Sequence, residues 1–271
     1  MTRGFLALLS HSARRIRWLL VATAGLLVGF QALTALMAAS FQEQNTFERL
    51  ATMAPDFVRE ALGASFLPML SFSGIVLLGF FHFAVIAFLV GLAIAVATEP
   101  ASEVEQRFND VLLARPLPRR VPITRSAVLL VLVALCTCGA MCACTWGGLA
   151  MFAPEGARWP RPRLVLSLGG LLAALMVSWG GIALAVGSAS RRRGVAGTLV
   201  GLVALALFLL DVVSGAWKPA ASFGRLSPFH YFDPLKLVAG QPFSWTDLSV
   251  LLGVGAAGFL ASLFIYTRRD L

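Results

Sequence analysis

Charge is what this sequence has least of. Only 13% of its 271 residues are Asp, Glu, Lys or Arg, against 58% hydrophobic residues, whereas soluble domains carry about 25% charged residues. So little charge argues against a soluble fold and points to a membrane. Also absent is any G-x-x-x-x-G-K-[ST] stretch, the loop whose backbone amides cradle nucleotide phosphates. ATP hydrolysis by that route is therefore not expected of this chain. His, Asp and Glu do not cluster as in a membrane-embedded hydrolase, so no catalytic residue is assigned. Ion-driven carriers place ionisable groups at mid-membrane. Here only His82 is central, with Asp211 near the outer end of an apolar run, which is thin support for a carrier.

What is present is a set of six apolar runs, roughly Trp18–Ser40, Phe66–Thr98, Ala127–Phe152, Leu164–Ser190, Val195–Ser214 and Leu248–Thr267. Crossing ~30 Å of hydrocarbon takes ~20 residues. The expected fold is an all-α integral membrane protein, a single six-span domain over residues 1–271. The first run is longer than the apolar region of about 7–15 residues in a signal peptide. Ala38-Ala39-Ser40 is accordingly not read as a cleavage site. The formal charge of +9 does not point to nucleic acid, because of where it sits. With the N-terminus inside, 14 basic residues flank the spans on the cytoplasmic side and 8 on the other. The positive-inside rule then places both termini in the cytoplasm.

Before the first run, TRGFLALLSHSARRIRW gathers Phe5, Leu8, Leu9 and Ile16 on one side of a helix and Arg3, Arg14 and Arg17 on another. An amphipathic helix at the cytoplasmic interface is expected over residues 1–17, and an ordinary basic flank that fixes topology is compatible with the same residues. The second apolar run is long enough to require tilt or projection. Between the fifth and sixth runs, GAWKPAASFGRLSPFHYFDPLKLVAGQPFSWTD is rich in aromatics and prolines. It suits short interfacial or re-entrant helices at the membrane boundary.

The stretch EVEQRFNDVLLARPLPRR, from Glu103 to Arg120, concentrates charge between two lipid-suited runs. Ser102 with Glu105 reads as a capping box. Val104, Phe108, Val111 and Leu112 form one apolar stripe, while Glu103, Arg107 and Asp110 are expected to face elsewhere. Pro116 and Pro118 end the helix, and Arg119, Arg120 and Arg125 return the chain to the membrane surface.

In this loop Leu112, Leu113, Pro116 and Arg119 follow an acidic helix in the pattern Leu-Leu-x-x-Pro-x-x-Arg. The loop resembles the cytoplasmic loop of the ABC-2-type transporter permeases. The external stretch Ser227, Pro228, Phe229, His230, Tyr231, Phe232, Asp233, Pro234 resembles a second hallmark of the same family. The resemblance extends over essentially the whole chain. It implies the transmembrane subunit of an ATP-driven exporter in the bacterial cytoplasmic membrane, moving a hydrophobic or amphipathic substrate. It also implies a second, identical permease and two copies of a separate ABC ATPase that carry the ATP and magnesium; the permease itself binds no cofactor. The helix from Glu103 to Arg115 then becomes a coupling helix seated in the ATPase. Phe108 would be its apolar anchor, and Glu103, Arg107 and Asp110 would orient it. The other readings are a loop that only anchors topology, and with it a non-transporting membrane subunit of a larger assembly. An ion-coupled carrier stands behind these.

Four further features carry alternatives. Cys136, Cys138, Cys142 and Cys144 invite a soft-metal site. At about 100° per residue, only Cys138 and Cys142 share a face, so packing is favoured and no metal is assigned. His82, flanked by Phe81, is either a packed histidine or a pathway residue, and Phe208 of the fifth run is a pathway candidate with it. The resemblance implies that the second and fifth spans border the path. Gly25 with Gly29, and Gly197 with Gly201, are small-x-x-x-small pairs that permit close helix approach. The resemblance adds that the first and fifth spans meet across a dimer.

Overall fold

The computed structural model describes residues 2–43, 71–106, 118 and 120–268. All regular structure among them is helical. Six segments are long and apolar enough to cross a membrane: Arg17–Gln42, Phe72–Ala97, Val121–Phe152, Pro162–Ala189, Arg193–Ala216 and Trp245–Arg268. Each overlaps one of the runs read from composition. The third begins at Val121 rather than Ala127, so it carries Arg125 inside its first turns.

We number the helices α1 (Thr2–Arg15), α2 (Arg17–Glu43), α3 (Phe72–Phe81), α4 (Phe83–Ala97), α5 (Glu99–Glu105), α6 (Val121–Phe152), α7 (Pro162–Ala189), α8 (Arg193–Ala216), α9 (Ala221–Gly224), α10 (Pro234–Val238) and α11 (Trp245–Arg268). Ile16 alone separates α1 from α2. Its amide donates to Ser12 and its carbonyl accepts from Leu20, so hydrogen bonding runs through the join.

α7 is the centre of the bundle. It is apolar all round after Arg163 and rich in Gly and Ala, the composition of a helix buried on every side. In its most apolar window 72% of the residues are buried, against 17% for α8. It packs against α4, α6, α8 and α11. The contact with α11 is made by backbone. A Cβ on Gly181 would lie 2.7 Å from Gly255 Cα, and one on Gly255 would lie 2.9 Å from the Val177 carbonyl oxygen. A Cβ on Gly258 would run into the Gly181 backbone. By contrast, a Cβ added at Gly25, Gly29, Gly197 or Gly201 meets nothing within 4 Å among the described residues. Those four leave open faces on α2 and α8 within the chain.

The second span is not one helix. It stops at Phe81 and restarts at Phe83, with no proline in the segment. His82 between them has φ −65° and ψ 125°, and its Nδ1 accepts from the Ala84 amide, capping α4. The α3 half is tied to the first span by Gln31, whose side-chain amide donates to the Val76 carbonyl at 2.7 Å. Gln31 occupies the space beside Gly79 that a side chain there would fill.

Candidate functional site

Polar chemistry collects at two ends of the bundle. At one end lies α5. Thr98 separates it from α4, Pro100 sits in its first turn, and Glu99, Ala101, Ser102 and Glu103 are all buried. The helix begins at Glu99 with no side-chain cap. The capping box expected of Ser102 and Glu105 is therefore absent, and Ser102 lies within the helix. Its hydroxyl oxygen accepts from Arg15 Nη2 at 3.3 Å and from Gln106 Nε2 at 3.1 Å. Arg15 Nη2 also donates to Gln106 Oε1 at 3.0 Å.

Glu103 overturns a second expectation. Instead of facing outward with the polar side, it is 2% exposed, and Arg125 Nη2 donates to its Oε1 at 2.6 Å. Arg125 is itself fully buried. The cause is position: α6 starts early enough to put Arg125 directly against α5, where each charge is the other's partner. Glu105 points away and accepts from the backbone amide of Arg193, whose guanidinium donates to the Ala95 carbonyl at 2.8 Å. α5 is thereby pinned to α1, α6 and α8 at once. The remaining residues expected of this helix, Arg107, Phe108, Asp110, Leu112, Leu113, Arg115, Pro116 and Arg119, lie outside the described residues.

Glu99 has a buried carboxylate oxygen without a hydrogen-bond partner among the described residues. Burial pushes its carboxyl above the usual carboxylate value, against the opposing pull of the Arg125 guanidinium. A raised value means that the folded protein holds a proton the unfolded chain releases. The stabilisation this gives is complete below the ordinary value of 4.5 and is lost as pH rises through the raised one. Glu99→Gln should therefore melt at or above the wild-type temperature at neutral pH, and the two should converge in acid. A variant several degrees less stable at neutral pH would show instead that Glu99 is an ionised, partnered carboxylate.

At the other end the Ser227–Pro234 stretch folds back on the spans. Ser227 is fully buried and its hydroxyl caps the turn Pro228–Tyr231 through the Phe229 amide. Asp233 caps α10 through the Lys236 amide and pairs with the Lys236 ammonium at 2.9 Å. Pro228 and Pro234 each occupy a first-turn position, where the missing N–H costs nothing. The motif is thus two consecutive capped turns, and they present Phe229 inward. Its ring lies 5.3 Å from Trp179 and 5.4 Å, edge-on, from Phe208. Tyr231 donates to the Arg225 carbonyl, and His230 Nδ1 lies 3.4 Å from Asp211 Oδ1 of α8.

These turns roof a cleft of about 680 Å³ bounded by the helix break and α8. Phe81, His82, Phe208, Asp211, Phe229 and Phe232 are among its lining residues. The His82 ring stacks on Phe83 at 4.8 Å and approaches Phe30 at 5.3 Å. An apolar continuation runs down between α4 and α8, past Gly91 and Gly201. The pathway candidates of the second and fifth spans therefore share one cavity with the Ser227–Pro234 stretch. Aromatic walls and a few polar groups at one end suit an amphipathic molecule.

Cys138 and Cys142 are buried on the face of α6 toward α7, Cys136 is exposed and Cys144 half-buried. The Cys142 thiol donates to the Val165 carbonyl at 3.6 Å and Cys138 lies 3.9 Å from Met176 Sδ. Among the described residues no three His, Cys, Asp or Glu side chains are grouped to hold a metal. No protein-family model matches the chain, and no curated protein matches it.

Proposed function

We propose that this chain is the membrane-spanning permease subunit of an ATP-driven exporter of the ABC-2 type. In this reading two identical copies pair with two ATPase subunits that supply ATP and magnesium. Both termini lie in the cytoplasm, and the basic residues crowd the cytoplasmic boundary. The observation that carries it is the placement of α5. A helix at the end of the second span is locked by side chains to α1, α6 and α8, so a force applied to it reaches three other helices.

Two further observations support the reading. The cleft lies between the second and fifth spans and its aromatic walls suit a hydrophobic or amphipathic substrate. The open glycine faces of α2 and α8 leave room for close approach of a second copy.

The test is directed at the residues that follow α5 in the sequence. The candidate ATPase is to be sought as a Walker-A protein encoded by a neighbouring reading frame. With that partner co-expressed, Phe108→Ala should preserve insertion but weaken co-purification, since truncating an aromatic interface anchor costs about 2 kcal/mol or more. Arg107→Glu should weaken it further than Arg107→Ala, because reversal adds repulsion to a lost contact. Unchanged co-purification and ATP turnover in the Phe108→Ala, Arg107→Glu double variant would reduce the loop to a topological anchor.

A further inference from the structure

A second cavity, of about 610 Å³, lies where α1 meets α2 and α5. Its walls include His11, Arg14, Arg15, Arg17, Trp18 and Gln106. We propose that it binds the phosphate headgroup of an anionic phospholipid.

Charge is the first reason. Three guanidinium groups come from four consecutive residues at the α1–α2 join. Glu103, which also lines the cavity, does not offset them, because its carboxylate is paired with Arg125 at 2.6 Å. Arg15 is held in place by Ser102 and Gln106, and the Arg17 guanidinium stands 5.2 Å above the Trp18 ring. Guanidinium groups in a concave site match phosphate geometry.

Position is the second reason, and it separates a lipid from a soluble anion. Arg17 opens the first apolar span, so the cavity sits at the level where hydrocarbon gives way to headgroups. Directly beyond it, Trp18, Leu19 and Val21 are 71%, 40% and 61% exposed. A cationic pocket continuous with an apolar helix face fits a molecule with an anionic head and an acyl tail. Tryptophan at that level is a boundary residue, and basic pockets between membrane helices take anionic headgroups. Because Arg15 also holds α5, a lipid seated here would join the N-terminal helix to α5.

The test uses the purified full-length chain in nanodiscs of phosphatidylcholine, with or without phosphatidylglycerol, read by thermal unfolding and native mass spectrometry. Phosphatidylglycerol should raise the wild-type melting temperature by about 3 °C or more and stay bound after gentle activation. Arg14→Gln with Arg17→Gln should lose at least half of that shift and the retained lipid. Arg14→Lys with Arg17→Lys should keep most of both. Arg191→Gln with Arg192→Gln removes the same charge from exposed residues elsewhere and should keep the full shift.

Equal melting of the wild type in the two lipid mixtures would overturn the proposal, and so would an equal loss in the Arg191/Arg192 variant, which would reduce the effect to overall charge. Inorganic phosphate added to neutral nanodiscs should not reproduce the shift. If it does so in full, the site takes a soluble anion and the lipid assignment fails. Should the glutamine pair not fold, the lysine pair and the wild-type lipid comparison still decide the matter.

Discussion

Arg125→Ala should destabilise the protein by about 3–5 kcal/mol, the usual consequence of removing one partner from a buried ion pair. Arg125 and Glu103 are almost fully withdrawn from solvent and meet at 2.6 Å. Neither is fully satisfied even so: Arg125 Nε and Nη1 and Glu103 Oε2 have no hydrogen-bond partner among the described residues. Alanine would leave the Glu103 carboxyl without its partner in a cavity and remove from Glu99 its largest opposing charge. Replacing both partners, as Glu103→Leu with Arg125→Met, should recover most of the loss, because a packed apolar pair carries no desolvation penalty. A double-mutant cycle by denaturant unfolding in mixed micelles measures both quantities. A single-variant cost below about 1 kcal/mol would mean that the pair is hydrated and worth no more than a surface bridge.

The second large effect is expected at the α7–α11 crossing. Gly181→Val should cost about 3 kcal/mol or more, at or beyond the upper end of ordinary overpacking. The obstacle is backbone: a Cβ there meets Gly255 Cα at 2.7 Å and its carbonyl carbon at 2.9 Å, and neither can rotate aside. Gly258→Ala should follow the same pattern with a smaller loss. Gly253→Ala and Gly170→Ala, where an added Cβ meets nothing within 4 Å among the described residues, should be neutral or slightly stabilising through helix propensity. Heat-induced unfolding of the four variants in one lipid background separates the two classes. Similar melting temperatures for Gly181→Val and Gly253→Ala would show that the two helices separate more easily than their contact implies.

The spans were legible because their signal is one-dimensional. Twenty or more apolar residues in a row mark a membrane helix whatever it touches. Partners are not written that way. Arg125 reads as a basic flank until it is known that α6 begins at Val121 and that Glu103, twenty-two residues earlier, lies against it. The glycine pairs visible by spacing, Gly25 with Gly29 and Gly197 with Gly201, lie on open faces, whereas the close crossing uses Gly181 on one helix and Gly255 and Gly258 on another. Spacing within one helix says nothing about which glycine meets which. The Ser227–Pro234 stretch was recognisable as a unit, and its chemistry explains why: Ser227 and Asp233 each begin a turn that they cap. The pathway candidates Phe81, His82 and Phe208 do share one cleft. Gln31 and the tie from Arg15 to α5 went unread, because a lone polar side chain carries no mark of its distant acceptor.

The interruption at His82 differs in kind from one made by proline. Proline has no N–H to return to the ladder and its ring obstructs the preceding turn, so such a break is permanent. His82 keeps its N–H, already bonded to the Leu78 carbonyl, and its φ of −65° is that of a helix. What departs is ψ, at 125° where a helix needs about −42°. A single backbone rotation, with release of the Ala84 amide from Nδ1, separates the interrupted segment from an unbroken one. The break in the second span therefore rests on one ψ angle and one side-chain cap, and it lies on the wall of the aromatic cleft.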